Sequence, residues 1–328
     1  MRIVIDMQGA QTESRFRGMG RYSLSFAQAI IRNRGEHEVF LALSGLFPDT
    51  IEPIRAVFEG FLPQENIRVW YAPGPVAEGQ PGNEKRRKVA ELIREAYLAS
   101  LQPDVIHICS LFEGFQDNAV TSIGKFDRQT PISVTLYDLI PLLNPDQDLS
   151  ANLLYSSFYQ RKIACLNKAS CLLSISDFTQ QEGRKYLQVS DQSFYSVSTA
   201  AEQSFQPQNI SDDAAKQICA RLGIERHFLL YTGGCDERKN LARLIQAYFS
   251  LPQDLIAKYQ LIIAGKISQE QIKLFQRQAA DFLFGKDRLF FLGYVSDEDL
   301  VQLYNLCEVF VFPSWHEGFG LPALEAMA

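Results

Sequence analysis

Two glutamates, Glu317 and Glu325, enclose seven residues within Pro313-Ser314-Trp315-His316-Glu317-Gly318-Phe319-Gly320-Leu321-Pro322-Ala323-Leu324-Glu325. The segment follows the apolar run Val309-Phe310-Val311-Phe312. It therefore lies just beyond the C-terminal end of an expected strand, where open parallel sheets hold their ligands. Gly318 and Gly320 allow close backbone approach and unusual dihedrals. Pro322 sits where a first-turn proline is tolerated. A helix opening near Gly320 would offer unpaired N–H groups and a positive dipole end to phosphate, with Glu325 about a turn further in and able to face the same ligand. A plain strand–turn–helix joint with solvated glutamates fits the spacing equally well.

Other segments carry weaker signals. Arg17-Gly18-Met19-Gly20-Arg21-Tyr22 lies between an expected strand and helix, but Ser23 leaves a G-x-G-x-x-G fingerprint incomplete. Arg238-Lys239 opens an expected helix, where cations oppose the dipole unless an anion is bound. Asp138, after Leu136-Tyr137, suits either an Asx turn or a ligand contact. Asp297-Glu298-Asp299 looks like a metal-binding D-x-D, yet it follows Ser296 at a helix start, where a capping hydroxyl and an acidic first turn are stabilising. Asp146-Gln147-Asp148 has the same form, and neither is read as a metal site. Lys85-Arg86-Arg87-Lys88 precedes Val89, Leu92, Ile93 and Ala96 at helical spacing. That pattern reads as an amphipathic surface helix or as a peripheral contact with anionic lipid.

The elements that must position these residues alternate between short apolar runs and longer amphipathic stretches. Strands are expected at Arg2–Asp6, Glu38–Leu43, Ile67–Tyr71, Asp104–Cys109, Ile132–Tyr137, Cys171–Ile175 and Ser193–Val197. Helical patterns fall at Tyr22–Arg32, Lys85–Leu101, Leu153–Ala169 and Asp177–Tyr186. After a polar interval at 202–226 containing the helix-like Asp212–Leu222, a second series places strands at His227–Tyr231, Gln260–Ala264, Leu289–Leu292 and Glu308–Phe312. Helices there are expected at Leu241–Phe249, Gln269–Asp281, Asp297–Asn305 and from near Gly320. Such alternation implies parallel sheets covered on both faces. The reading is α/β, two doubly wound domains at 1–205 and 206–328. The second is expected to be incomplete, because four strands are few for an open sheet and the last helix meets the C-terminus uncapped.

The 328 residues carry 32 basic and 38 acidic side chains, a net charge of −6, which argues against a duplex nucleic-acid binder. Apolar residues at 46% are enough for sizeable cores and exclude disorder, collagen and coiled coil. Six cysteines without a C-x-x-C pair and four scattered histidines favour buried thiols in a reducing compartment over a metal centre. No apolar run approaches the roughly 20 residues of a membrane span, and Asp6 comes too early for a signal peptide. A cytoplasmic location is expected, with peripheral contact at the inner face of a membrane as an extension of it.

The residues around Glu317 and Glu325 resemble the E-x7-E signature of the retaining GT-B glycosyltransferases of family 4, the glycosyl transferases group 1. The similarity runs from Phe291-Leu292-Gly293-Tyr294-Val295-Ser296-Asp297 through Glu325-Ala326-Met327-Ala328, and the family normally continues beyond that point. The resemblance implies two Rossmann-like domains facing across a cleft, with donor bound mainly by the second. It also implies retaining, metal-independent transfer of a sugar from a nucleotide donor to a saccharide or lipid-linked acceptor. No cofactor is implied beyond the donor. Tyr231-Thr232-Gly233-Gly234 and Arg238-Lys239-Asn240 resemble mannosyltransferase-like members, which points to GDP-mannose.

By the same resemblance, Lys239 matches the lysine that binds the donor diphosphate. Gly234 stands at the position of the family's arginine, and Arg238 is the candidate second cation. Glu317 would meet donor sugar hydroxyls or developing positive charge, and Glu325 the ribose hydroxyls. The loop with Gly233 and Gly234 and the turn Gly318-Phe319-Gly320-Leu321 would lie against phosphate, and the backbone at Tyr294 and Val295 against the base. Gly18 and Gly20 correspond to the family's first glycine-rich loop. Tyr137 stands where the family usually has histidine, beside the retained Asp138. Two alternatives stay open: a catalytically inactive nucleotide-sugar-binding module, favoured by Tyr137 and Gly234, and a nicotinamide-dependent oxidoreductase. The oxidoreductase needs a complete glycine fingerprint and an acidic residue ending the second strand, where Leu43-Ser44-Gly45 stands instead.

Overall fold

The computed structural model of the chain describes residues 1–16, 18–225, 227–280, 282 and 288–328. Arg17 of the first glycine segment, Arg226 at the end of the polar interval and Asp281 of the expected helix lie outside the described residues. Contacts divide the chain into two compact units, Met1–Thr199 and Ala200–Ala328, each with its own sheet and apolar core.

Among the described residues the first unit holds seven strands: β1 (Arg2–Asp6), β2 (Glu38–Ser44), β3 (Ile67–Trp70), β4 (Val105–Ile108), β5 (Ile132–Leu136), β6 (Cys171–Ser174) and β7 (Phe194–Ser196). They form one sheet in the order β3-β2-β1-β4-β5-β6-β7, parallel at every pairing. Side chains alternate across it as strand geometry requires. Val4, Ala42 and Val134 join Phe158 and Leu166 of the helix Leu153–Leu166 on one face. Ile5, Leu41 and Leu43 join Ala27 and Ile31 of the helix Gly18–Arg32 on the other. Burying each valine, leucine, isoleucine or phenylalanine among these contributes about 1.5–3 kcal/mol, which is why these runs read as continuous apolar strands. The strand order reverses between β1 and β4, so the topological switch point lies at their C-terminal ends.

The helix Glu84–Ser100 buries a charged face. Arg87, Glu91, Arg94 and Glu95 are buried, whereas Val89 and Leu92 of the expected apolar stripe are 48% and 44% exposed. The reason is that each buried charge has a partner. Arg94 donates through Nε to Asp6 Oδ2 at 2.6 Å and through Nη1 to the Ser122 carbonyl. Glu95 accepts from the Ser122 hydroxyl and from the amides of Lys125 and Phe126. Arg87 and Arg161 share Glu91. A buried charge is tolerated only when paired and hydrogen-bonded.

The second unit holds β8 (His227–Thr232), β9 (Tyr259–Ala264), β10 (Leu289–Gly293) and β11 (Val309–Phe310) in the parallel order β10-β9-β8-β11. The helix Leu241–Phe249 seats Leu241, Leu244, Ile245 and Tyr248 against Tyr231, Leu261 and Ile263 of the sheet. β11 is shorter than the expected Glu308–Phe312; it pairs only with β8 and leaves Val309 half exposed. Here the order reverses between β8 and β11, the second switch point. No helix among the described residues is long and apolar enough to cross a membrane.

Candidate functional site

At the mouth between β8 and β11, two loops supply the charged groups. The loop after β8 runs through Gly233 and Gly234 into the 3₁₀ turn Glu237–Lys239. The loop after β11 carries Pro313–Gly320. Hydrogen bonds lash them together: Asn240 Nδ2 donates to the Pro313 carbonyl at 3.1 Å, Trp315 N to the Arg238 carbonyl at 3.1 Å, and Arg238 Nη1 to the His316 carbonyl at 3.2 Å. Asn240 has φ of 59°, a left-handed residue that ends the 3₁₀ turn and starts the next helix. Its role was not anticipated. The only prior signal was an asparagine before an apolar helical run, which ordinarily reads as a cap.

Across this junction Glu317 accepts from Lys239 Nζ through Oε1 at 2.5 Å and from Arg238 Nη1 through Oε2 at 2.7 Å. The three side chains are mostly shielded, at 17%, 14% and 24% exposure for Glu317, Lys239 and Arg238. Burial works against ionisation of Glu317, but Lys239 and Arg238 outweigh it and hold its carboxyl below the usual value. Asp236 adds a more distant carboxylate, 3.8 Å from Arg238 Nη2. Two cations converge on one close carboxylate at a sheet mouth, and their remaining N–H donors suit an anion.

Glu325 is buried within the helix Leu321–Met327 and accepts from the Tyr304 hydroxyl at 3.3 Å. That hydroxyl lies 2.9 Å from Thr232 Oγ1 at the end of β8, so the second glutamate is tied to the sheet end. Tyr304 did not stand out in the sequence, and Thr232 only as part of Tyr231-Thr232-Gly233-Gly234, because nothing in their spacing marks a side chain that reaches toward a carboxylate from another element. Gly318 is buried, Phe319 and Leu321 are half-buried, and Gly320 begins the helix at φ of 104°. Gly233 donates its amide to the Ala264 carbonyl, and Gly265 donates to the Gly293 carbonyl. A Cβ on Gly265, itself at φ of 152°, would lie 2.0 Å from the Gly233 oxygen, so only glycine lets the β8 and β9 ends approach. Gly234 has room for a side chain, and its carbonyl accepts from the Tyr231 hydroxyl at 2.6 Å. Tyr294 is 67% exposed and Val295 half-buried, just past β10. The acidic run at Asp297 behaves as a cap: Ser296 Oγ accepts from the Asp299 amide, and Asp299 pairs with Arg221.

The remaining candidates belong to the first unit. Gly18 and Gly20 lie inside the first turns of a helix starting at Gly18, not in a loop before Tyr22 as the sequence reading had it. A Cβ on Gly20 would come within 2.3 Å of Arg15 Cα and the Ser14 carbonyl, so close packing of the preceding turn accounts for this glycine. The Tyr137 hydroxyl is engaged with Ser23 Oγ and the Met19 carbonyl, both at 3.1 Å. Asp138 Oδ1 accepts from the Ile140 amide, an Asx turn. Glu113, which the sequence reading passed over, is a buried carboxylate accepting from Thr12, Ser14 and Ser110 at this switch point. Burial raises its pKa, against the pull of those hydroxyls.

Comparison with known proteins follows the same lines. Residues 219–328 match the family described as "Glycosyl transferases group 1". Over all 328 residues the chain is 34% identical to a serotype-specific mannosyltransferase WbdA of Escherichia coli, and it spans 39% of that relative's length. Among solved structures, WaaG, a glycosyltransferase involved in lipopolysaccharide biosynthesis, aligns with TM-score 0.65 at 15% identity, over 100% of this chain and 78% of that one. Anabaena Alr3699/HepE in complex with UDP and glucose aligns with TM-score 0.64 at 16% identity, again over 100% and 78%. These likenesses show the GT-B fold.

Proposed function

We propose, for a chain whose residues 219–328 are a domain of the glycosyl transferases group 1 family, transfer of a mannosyl group from a nucleotide donor to a hydroxyl in glycan synthesis. Similarity of all 328 residues to part of a mannosyltransferase supports the sugar, and GDP-mannose is the donor this reading names. The observation that carries the reading is the Glu317–Lys239–Arg238 cluster at the β8/β11 switch point. When the bond between the anomeric carbon and the diphosphate breaks, the leaving oxygen gains negative charge and the sugar becomes oxocarbenium-like. Lys239 and Arg238 are placed to stabilise that charge, which supports transfer without a metal clamp. Arg238 reaches Glu317 although Gly234 occupies the family's arginine position, which favours an active enzyme over an inactive binding module. Glu317 meets the donor sugar, Glu325 the ribose, and the reaction retains anomeric configuration.

The test is transfer of mannose from GDP-mannose to a saccharide or lipid-linked acceptor by wild type and Lys239→Ala. The variant is expected to lose about 10²–10³ in kcat, the scale of a lost charge-stabilising donor. An unchanged rate in a folded variant contradicts the assignment.

We also propose a peripheral contact with anionic lipid through the start of the helix Glu84–Ser100. There Val89 and Leu92 are exposed beside Lys88, itself paired with Glu84, and the preceding Lys85. Co-sedimentation with phosphatidylserine vesicles, weakened in Val89→Asp, supports it; equal recovery of both proteins contradicts it.

A further inference from the structure

We infer that Glu317 competes electrostatically with the bound diphosphate, and that this competition bears harder on the nucleoside diphosphate product than on the nucleotide-sugar donor. The inference rests on the reading of Lys239 and Arg238 as the diphosphate site. Both cations already donate to one carboxylate at 2.5 and 2.7 Å, in largely shielded positions where screening by water is weak. Charge-assisted bonds of that length are the strong class. Lysine has two further donors beyond Glu317, and arginine three beyond Glu317 and the His316 carbonyl, so a diphosphate can share both cations, but it then sits within a few ångströms of a fixed negative charge. The ionisation of Glu317 is itself favoured here by both cations, so the charge persists at neutral pH.

The donor's diphosphate is esterified at both ends. The free product carries about one more negative charge above its last pKa near 6. Repulsion by Glu317 therefore weakens the product more than the donor. The same carboxylate that faces the donor sugar thereby favours departure of the leaving group once the sugar is gone.

The experiment titrates GDP and GDP-mannose, with UDP as a second probe, into wild type, Glu317→Gln, Glu317→Asp and Lys239→Ala by calorimetry at low and high salt. Glu317→Gln keeps the shape and removes the charge. It is expected to bind GDP about tenfold more tightly, or about 1.4 kcal/mol, with a smaller gain for GDP-mannose and a steeper loss of affinity with salt. Glu317→Asp keeps the charge and is expected to bind GDP as wild type does. Should Glu317→Gln fail to fold, Glu317→Ala removes the same charge and takes its place. Loss of GDP binding in Lys239→Ala together with unchanged or weaker GDP binding in Glu317→Gln overturns the inference and leaves the diphosphate site standing. Undiminished GDP binding in Lys239→Ala overturns the site and the inference with it.

Discussion

Lys239 and Arg238 are adjacent in the chain, yet both reach the same carboxylate, because the 3₁₀ turn Glu237–Lys239 turns successive side chains toward the β11 loop. A cation next to the matching lysine was visible in the sequence; that its guanidinium also holds the His316 carbonyl was not. The ion pairs make a pH prediction with a definite sign. A carboxyl whose folded pKa lies below its ordinary value of 4.5 contributes stability that is fully present above that value and is lost as pH falls through the folded one. Wild type should therefore lose melting temperature more steeply than Glu317→Gln as pH falls below the ordinary carboxyl value of 4.5. Parallel melting curves for the two proteins would show that Glu317 draws nothing from its partners. At the same scale, Arg238→Ala is expected to lower kcat by about 10²-fold, and an unchanged kcat in a folded variant would remove Arg238 from the site.

At the scale of elements, the apolar runs were legible because strands buried on both faces leave little choice of residue. β1 and the helices Asp177–Tyr186, Asp212–Leu222 and Leu241–Phe249 fall at the expected residues. The helix Glu84–Ser100 was legible in extent but not in orientation, since periodicity reports a face and not its partner. Its buried face is charged because Asp6 and the 122–126 segment wait opposite it. Removing one member of such a pair strands the other. Arg94→Met should accordingly cost about 3–5 kcal/mol in urea denaturation, against less than about 1 kcal/mol for Lys88→Met on the exposed side. Equal costs would mean that the buried pair adds nothing specific. Gly265→Ala should destabilise by about 1–3 kcal/mol, because its Cβ would displace the Gly233 carbonyl; a neutral effect would show that the β8 and β9 ends have slack.

For the whole molecule, the fold class follows from alternation, but the site follows from strand order, which no local pattern reveals. Only the orders β3-β2-β1-β4-β5-β6-β7 and β10-β9-β8-β11 show where each sheet reverses, and the second reversal is where Glu317, Lys239 and Arg238 converge. Family resemblance had named these residues, and the topology supplies the physical reason they meet. The glycine segment near Gly20 was the least legible part, since close helix packing and ligand approach both call for glycine. We propose that this convergence holds a donor diphosphate. The most direct measurement is a crystal structure of the protein with GDP. Diphosphate oxygens are expected within hydrogen-bond distance of Lys239 Nζ and the Arg238 guanidinium; a diphosphate held away from both, or by a divalent ion on aspartates, would overturn the assignment.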